Sequence, residues 1–208
     1  MSQGYFITFE GGEGVGKTTQ IKLLADFLKN KNHDVIMTRE PGGTPAAEEI
    51  RSLLSHTEYG GDWTPEAELL MIFVARAQHI RDVIKPAIDI GKTVLCDRYI
   101  DSTRVYQGYL HKIPMDFIHN LENKIIGPYM PNLTLLLDLD ENAAMERVQG
   151  RGEGDHYDQG DIHFYKELRN AFIDLASKDS ERIKTIDAKQ DIEAIASDIQ
   201  QIVEKEIS

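Results

Sequence analysis

The chain has 208 residues, enough to bury a sizeable core within one domain, and its 41% hydrophobic and 28% charged residues are ordinary for a soluble globular protein. A formal net charge of -12 argues against a general affinity for nucleic acid or for an anionic membrane, while leaving room for anionic ligands held by local clusters of donors. The single cysteine, Cys96, excludes an internal disulfide and cannot build a zinc site alone.

In chain order, the first apolar run is Tyr5–Phe9, which predicts a buried strand. It leads into Gly11-Gly12-Glu13-Gly14-Val15-Gly16-Lys17-Thr18, which fits G-x-x-x-x-G-K-[ST], the phosphate-binding loop of nucleoside triphosphatases. Glycines let successive backbone N–H groups face one phosphate chain, and a helix beginning at Lys17 adds its positive end. Lys17 is then placed to reach the β- and γ-phosphates, and the Thr18 hydroxyl to take a position on Mg²⁺. Four more strands are predicted, at 34–38, 93–97, 133–138 and 182–187, mostly continuous apolar runs as in a parallel sheet covered on both faces. Helices are predicted between them at 17–30, 45–55, 65 to about 90, 115–126, 142–149, 162–178 and 192–206. This alternation predicts an α/β, three-layer P-loop fold, a five-stranded parallel sheet flanked by helices, in a single domain over 1–208. The long helix should start on Thr64 with Pro65 in its first turn, kink at Pro86 and end on Gly91. Its run Leu69-Leu70-Met71-Ile72-Phe73-Val74 is apolar on nearly every side, so it is covered either by other helices or by a second subunit. No apolar run reaches the length of a membrane span, and the chain enters its first strand almost at once, so a cytoplasmic location is expected.

Three charged clusters fall where strands or helices end, the place where ligands gather in parallel sheets. The first is Thr38-Arg39-Glu40-Pro41-Gly42-Gly43-Thr44. The second is Cys96-Asp97-Arg98-Tyr99, with Asp97 placed like the acid that supports Mg²⁺ or its waters and Arg98 a fork-shaped phosphate donor. The third is the loop at about 150–160, carrying Arg151, Glu153, Asp155, His156 and Asp158 among glycines, the composition of a mobile lid. Arg76 stands inside the apolar helix and needs either a ligand or an ion-pair partner, for which Glu68 and Asp101 are candidates.

Taken together, Phe9-Glu10-Gly11, Thr38 to Thr44, Ala75-Arg76-Ala77-Gln78, Asp97-Arg98-Tyr99, Ser102-Thr103 and Tyr106-Gln107-Gly108 closely resemble, in that order, bacterial thymidylate kinases. The resemblance runs from about residue 5 to about residue 190. It implies transfer of the γ-phosphoryl group of ATP to dTMP with Mg²⁺, in a homodimer. It implies that the loop Gly11 to Thr18, with Thr19, holds ATP, that Thr18 and Asp97 serve the metal, and that Glu10 lies near the sugar and the metal waters. Arg39, Arg51 and Arg98 then face the dTMP phosphate, with Ser102 beside them, and Pro41 packs near the sugar. Arg76, Thr103 and Gln107 face the thymine edge, and Tyr106 lies under the deoxyribose, where it would crowd a ribo 2′-hydroxyl. Arg147 resembles the residue stacked on adenine, and Arg151 the lid arginine that reaches the transferring phosphates. Lys17, Arg98, Arg151, Glu10 and Asp97 form the implied catalytic set. Two departures stand out: Ile72, with Phe73 next to it, replaces a stacking phenylalanine, and His156 replaces a second lid arginine. A kinase for another nucleoside monophosphate or a nucleotide sensor would keep the same loop. Asn-Lys-x-Asp and Asp-x-x-Gly, the marks of a GTPase switch, do not occur.

Overall fold

In a computed structural model that describes residues 4–55, 63–149 and 161–207, the five expected strands form one sheet. They are β1 (Tyr5–Glu10), β2 (Val35–Arg39), β3 (Thr93–Asp97), β4 (Leu133–Asp138) and β5 (Ile183–Asp187), ordered β2-β3-β1-β4-β5 and parallel throughout. Strand side chains alternate between faces, and here both faces are dry. Ile7, Phe9, Leu95, Leu135 and Leu137 pack against α1 (Lys17–Asn30) and α9 (Ile192–Ile207), next to α7 (Glu141–Gln149). Phe6, Val94 and Cys96 pack on the other face against α3 (Pro65–His79) and α6 (Met115–Ile125). Leu136 and Ile183 meet α8 (Ile162–Lys178) on that same side of the alternation. The edge strands are less covered: Met37 on β2 is 47% exposed, so the uninterrupted apolar reading holds for the three central strands and weakens at both edges.

The long helix begins as its sequence dictates, with the Thr64 hydroxyl accepting from the Ala67 N–H at 3.3 Å and Pro65 in the first turn. Its irregularity is a π-helical turn, Ile80–Ile84, between α3 and α4 (Lys85–Asp89). Pro86 has no N–H to offer Asp82, and its ring presses on that carbonyl, so the ladder loosens in the turn before the proline. Gly91, at φ +83°, closes α4: its N–H reaches the Ile88 carbonyl and the Lys92 N–H that of Ala87, both at 3.0 Å.

One element was not foreseen. The stretch after β3 is helical, as α5 (Ile100–Thr103) followed by a π-helical segment, Arg104–Leu110. Thr103, Val105, Tyr106 and Gly108 are weak helix formers, so propensity gives little sign of it. Tertiary pairing holds it instead. Buried Asp101 accepts from Arg182 Nη1 at 2.6 Å and Nη2 at 2.9 Å, from Arg104 Nη1 at 3.1 Å and from the Thr134 hydroxyl at 3.1 Å. Arg104 in turn makes a bidentate pair with Glu122 of α6, at 2.9 and 2.7 Å.

Candidate active site

The carboxyl ends of β1, β2 and β3 finish level, with Phe9 opposite Asp97 and Arg39 opposite Asp97 in the register. The chain leaving each strand is stitched to its neighbour: the Glu40 N–H donates to the Asp97 carbonyl at 2.9 Å and the Arg98 N–H to that of Phe9 at 3.0 Å. A cleft of about 940 Å³ opens above these ends, a volume suited to nucleotides.

At one end of the cleft lies the phosphate loop. Gly11, Gly14 and Gly16 take positive φ, which folds the backbone into a cradle ahead of α1. Lys17 is buried beneath it, its ammonium donating to the carbonyls of Gly11 at 3.1 Å and Gly12 at 2.7 Å. Burial, with the Arg98 charge near by, pushes the Lys17 pKa down. Thr18 donates from its hydroxyl to Asp97 Oδ2 at 3.1 Å, and both line the cleft with Thr19. This pair of hard oxygen donors fits Mg²⁺ that arrives with phosphates and keeps several waters. Among the described residues there is no cluster of three or more His, Cys, Asp or Glu able to hold a metal without a substrate. Val15 is turned into the core with Ile21 and Leu24, so the loop presents no side-chain cation other than Lys17.

Arg98 spans the middle of the cleft, in the left-handed region at φ +65°, where an arginine is held only by what surrounds it. Its Nη1 donates to the Gly11 carbonyl and to Ser102 Oγ, each at 3.1 Å, its Nη2 pairs with Glu13, and its guanidinium lies 5.4 Å from the Tyr106 ring centre. Burial alone would raise Glu13, but Arg98 and Lys17 outweigh it and hold that carboxyl at about 2. Glu10 sits behind this wall, buried, accepting from the N–H of Tyr99 at 2.8 Å, the N–H of Ser102 at 3.2 Å and the Ser102 hydroxyl at 2.6 Å. Burial, then the nearby Asp101 charge, pushes the Glu10 carboxyl up to about 7. Its place is under the Asp97-Arg98-Tyr99 turn rather than on the cleft surface.

The third side is the turn after β2, with α2 (Pro45–Ser55) behind it. Arg39 donates to Glu48 at 2.9 Å, Glu48 accepts from the Gly43 N–H at 2.9 Å, and Arg51 donates to the Pro41 carbonyl at 3.2 Å. All of them line the cleft, and the Glu40–Pro41 peptide is cis.

The far end is built by Ile72, Arg76, Thr103, Tyr106 and Gln107. Arg76 is 1% exposed, its Nε donating to Glu40 at 2.7 Å and its Nη2 to the Thr103 hydroxyl at 3.0 Å, between the rings of Phe73 and Tyr99, each 5.0 Å away. Its ion-pair partner is therefore Glu40, and neither Glu68 nor Asp101. Glu68 accepts from Gln107 Nε2 at 2.6 Å, and Asp101 is committed to Arg182 and Arg104. Arg76 Nη1 is buried without a hydrogen-bond partner among the described residues. Of the two hydrophobic candidates here, Ile72 lines the cleft, while Phe73 lies in the core beneath the guanidinium.

One expected residue stands apart from the cleft. Arg147 is exposed on α7, its Nη2 3.5 Å from the Ala188 carbonyl, beside Gly14 and outside the main cleft. The lid, with Arg151, Glu153, Asp155, His156 and Asp158, lies outside the described residues. Residues that motif reading passed over are Glu40 as the partner of Arg76, His79 as a partner of Glu40, and Arg182 and Arg104 as partners of Asp101. His79 had one sequence signal: it follows Arg76 by three residues, on the same helical face.

A parallel sheet with a phosphate loop after β1, a carboxylate ending β3 and a second, cation-lined site across the cleft define a P-loop phosphotransferase. The thymidylate kinase family profile matches residues 9–199. Thymidylate kinase of Caulobacter vibrioides is 43% identical over 203 residues, covering 98% of this chain and 97% of that protein. Thymidylate kinase of Bartonella quintana is 44% identical, covering 96% and 94%. A crystal structure of thymidylate kinase from Ehrlichia chaffeensis superposes with a TM-score of 0.79 at 33% identity, covering 98% of this chain and 99% of that one. The chain belongs to the thymidylate kinase family.

Proposed function

We propose that the cleft is where this kinase brings the phosphate of dTMP in line with the γ-phosphate of ATP, and that the residues on its walls divide that work. The enzyme phosphorylates dTMP to dTDP, a step in nucleotide biosynthesis. Phosphoryl transfer asks little covalent chemistry of a protein: a 5′-phosphate oxygen of dTMP attacks the γ-phosphorus, the bond to the β-phosphate oxygen breaks, and ADP leaves. Positioning and charge neutralisation supply the rate. Lys17 and the loop N–H groups hold the donor phosphates, with Thr19 and Arg147 on the ATP side. Arg98, with Arg39 and Arg51, holds the acceptor phosphate, and Ser102 steadies Arg98. Thr18 and Asp97 would hold Mg²⁺, which when bound screens charge on the ATP phosphates. Glu10 supports the Asp97-Arg98-Tyr99 turn. Pro41 and Tyr106 flank the sugar, Ile72 packs on the base without aromatic stacking, and Arg76, Thr103 and Gln107 read its edge. Arg151 is the lid cation for the transferring group.

One observation carries this reading: a single cleft has phosphate-binding groups at one end and, at the other, a buried guanidinium with an unused N–H pair. A buried donor left unmade is costly, and the O4 carbonyl of thymine is an acceptor of the right kind. A coupled ADP-release assay with dTMP, UMP, CMP and GMP tests it. dTMP should be phosphorylated far faster than the others; equal rates with UMP would overturn the role given to Tyr106 at the sugar, and equal rates with CMP those given to Arg76 and Gln107 at the base edge.

We further propose a single-domain homodimer acting in the cytoplasm. No helix among the described residues is long and apolar enough to cross a membrane. Leu70 and Val74, one turn apart on α3, are 46% and 58% exposed while Leu69 and Phe73 face the core, which leaves an apolar stripe for a second copy. Light scattering on Leu70→Glu/Val74→Glu should show a monomer where the parent chain is a dimer.

A further inference from the structure

Behind the base-reading end lies a chain of buried polar groups, Thr38, His79 and Glu40, leading to Arg76. Glu40 divides its two oxygens: Oε2 accepts from Arg76 Nε at 2.7 Å, and Oε1 lies 2.9 Å from His79 Nδ1. A carboxylate only accepts, so Nδ1 carries the proton, and Nε2 shares its hydrogen bond with the Thr38 hydroxyl at 2.6 Å. His79 is wholly buried, and Glu40 and Arg76 are 4% and 1% exposed. The turn after β2 lies directly on this chain: a Cβ on Gly43 would come within 2.5 Å of Thr38 Oγ1 and 2.7 Å of His79 Nε2.

This arrangement restricts the guanidinium in three ways. The flanking rings of Phe73 and Tyr99 set its plane. Glu40 and Thr103 take Nε and Nη2. Because His79 holds Oε1, Glu40 meets Arg76 through one oxygen alone, and Nη1 is left without a partner. A guanidinium free to turn would satisfy itself on the nearest carboxylate, since a buried ion pair is favourable only when its geometry is fixed.

We propose that Glu40, held by His79 and Thr38, is a positioning residue for base selection: it aims the Arg76 Nη1 donor at a pyrimidine 4-oxo group. The inference rests on the reading of this end of the cleft as the base site. A 4-oxo pyrimidine accepts from that donor, whereas a 4-amino pyrimidine opposes it with a donor of its own. The same chain ties the aim of Arg76 to the turn that carries Arg39 and Pro41, so base and phosphate are held from one support.

The test is steady-state kinetics of Glu40→Gln with dTMP and dCMP, alone and in an Arg76→Ala background. The amide keeps the shape but loses the charge that orients Arg76. The KM for dTMP should rise about ten-fold, the loss of one charge-assisted contact. Its kcat and the KM for ATP should stay within about three-fold, and the dTMP-to-dCMP ratio in kcat/KM should fall by about the same ten-fold. In the Arg76→Ala background the substitution should have no further effect on either substrate, because its action passes through Arg76. An unchanged dTMP-to-dCMP ratio, or an equal effect in both backgrounds, would overturn the proposal. Should Glu40→Gln fail to fold, His79→Asn decides the matter by the same measurements, with a smaller fall in the ratio expected and an unchanged ratio overturning it. A parent enzyme that does not prefer dTMP over dCMP would overturn the reading of the base site, and this inference with it.

Discussion

The two ends of the cleft are built on different principles. At the donor end, eight consecutive residues, Gly11 to Thr18, contain nearly everything needed: the turn, the N–H groups, the lysine and the hydroxyl. Lys17 reaches carbonyls only six and five residues away. At the base-reading end the partners come from distant parts of the chain. Arg76 meets Glu40 across 36 residues and Thr103 across 27, Gln107 meets Glu68 across 39, and Asp101 beneath them meets Arg182 across 81. A local motif transfers between folds because its geometry travels with it. An assembled site can be retuned for another base by changing one supporting residue, which is where specificity within such a fold is expected to reside.

Asp101 lies beneath the base-reading end, behind the cleft lining. Asp101→Asn would take from Arg182 and Arg104 the buried carboxylate they share, leaving them Asp179 and Glu122 alone, a loss of about 3–5 kcal/mol. Urea denaturation should show that loss. A loss below about 1 kcal/mol would mean that the helical segment 100–110 stands without its ion network.

The donor end can be tested next through the lid. Val15 is in the core, and in the proposed division of roles Lys17 holds the donor phosphates and Arg151 meets the charge on the transferring group. Arg151→Ala should lower kcat by about 10²–10³ while changing either KM little, the pattern of a contact made mainly in the transition state. A near-normal kcat would point to Arg147, whereas His156→Arg should be tolerated.

Glu10 lies under the Asp97-Arg98-Tyr99 turn, between the two ends. Its folded pKa of about 7 stands above its ordinary value of 4.5, so the folded state holds the proton more tightly than the unfolded chain. That contribution is fully present below pH 4.5 and is lost as the pH rises to about 7, on the order of 3 kcal/mol. The stability of the parent chain relative to Glu10→Gln should therefore fall between pH 4.5 and 7.5. A difference independent of pH would mean that the three donors on Glu10 outweigh its burial.

The smallest expected effect joins the two ends. Arg98→Ala should raise the KM for dTMP ten- to a hundred-fold, about 1.5–3 kcal/mol, with much less change in the KM for ATP. Equal effects on both would move Arg98 from the acceptor to the donor.

What the amino-acid sequence determined by itself follows from short-range physics. Continuous apolar runs gave the strands because both sheet faces are covered. Thr64-Pro65 and Gly91 bounded the long helix because caps satisfy N–H and carbonyl groups within one turn, and Pro86 disturbed it because the missing N–H lies only four residues from its carbonyl. The phosphate loop was readable for the same reason. Only the tertiary structure decided the rest. Glu68 and Asp101 were open to Arg76 on grounds of charge, but they were drawn to Gln107 and Arg182, and the level ends of β2 and β3 brought Glu40 instead. Phe73, the aromatic residue nearest the expected stacking position, faces inward because the helix turns by about 100° per residue, which leaves Ile72 on the cleft wall and puts the ring under the guanidinium. Residues 100–110 became helical against their own propensities because Asp101 finds Arg182 and Arg104 finds Glu122, on elements that are distant in sequence and adjacent only once the sheet has formed.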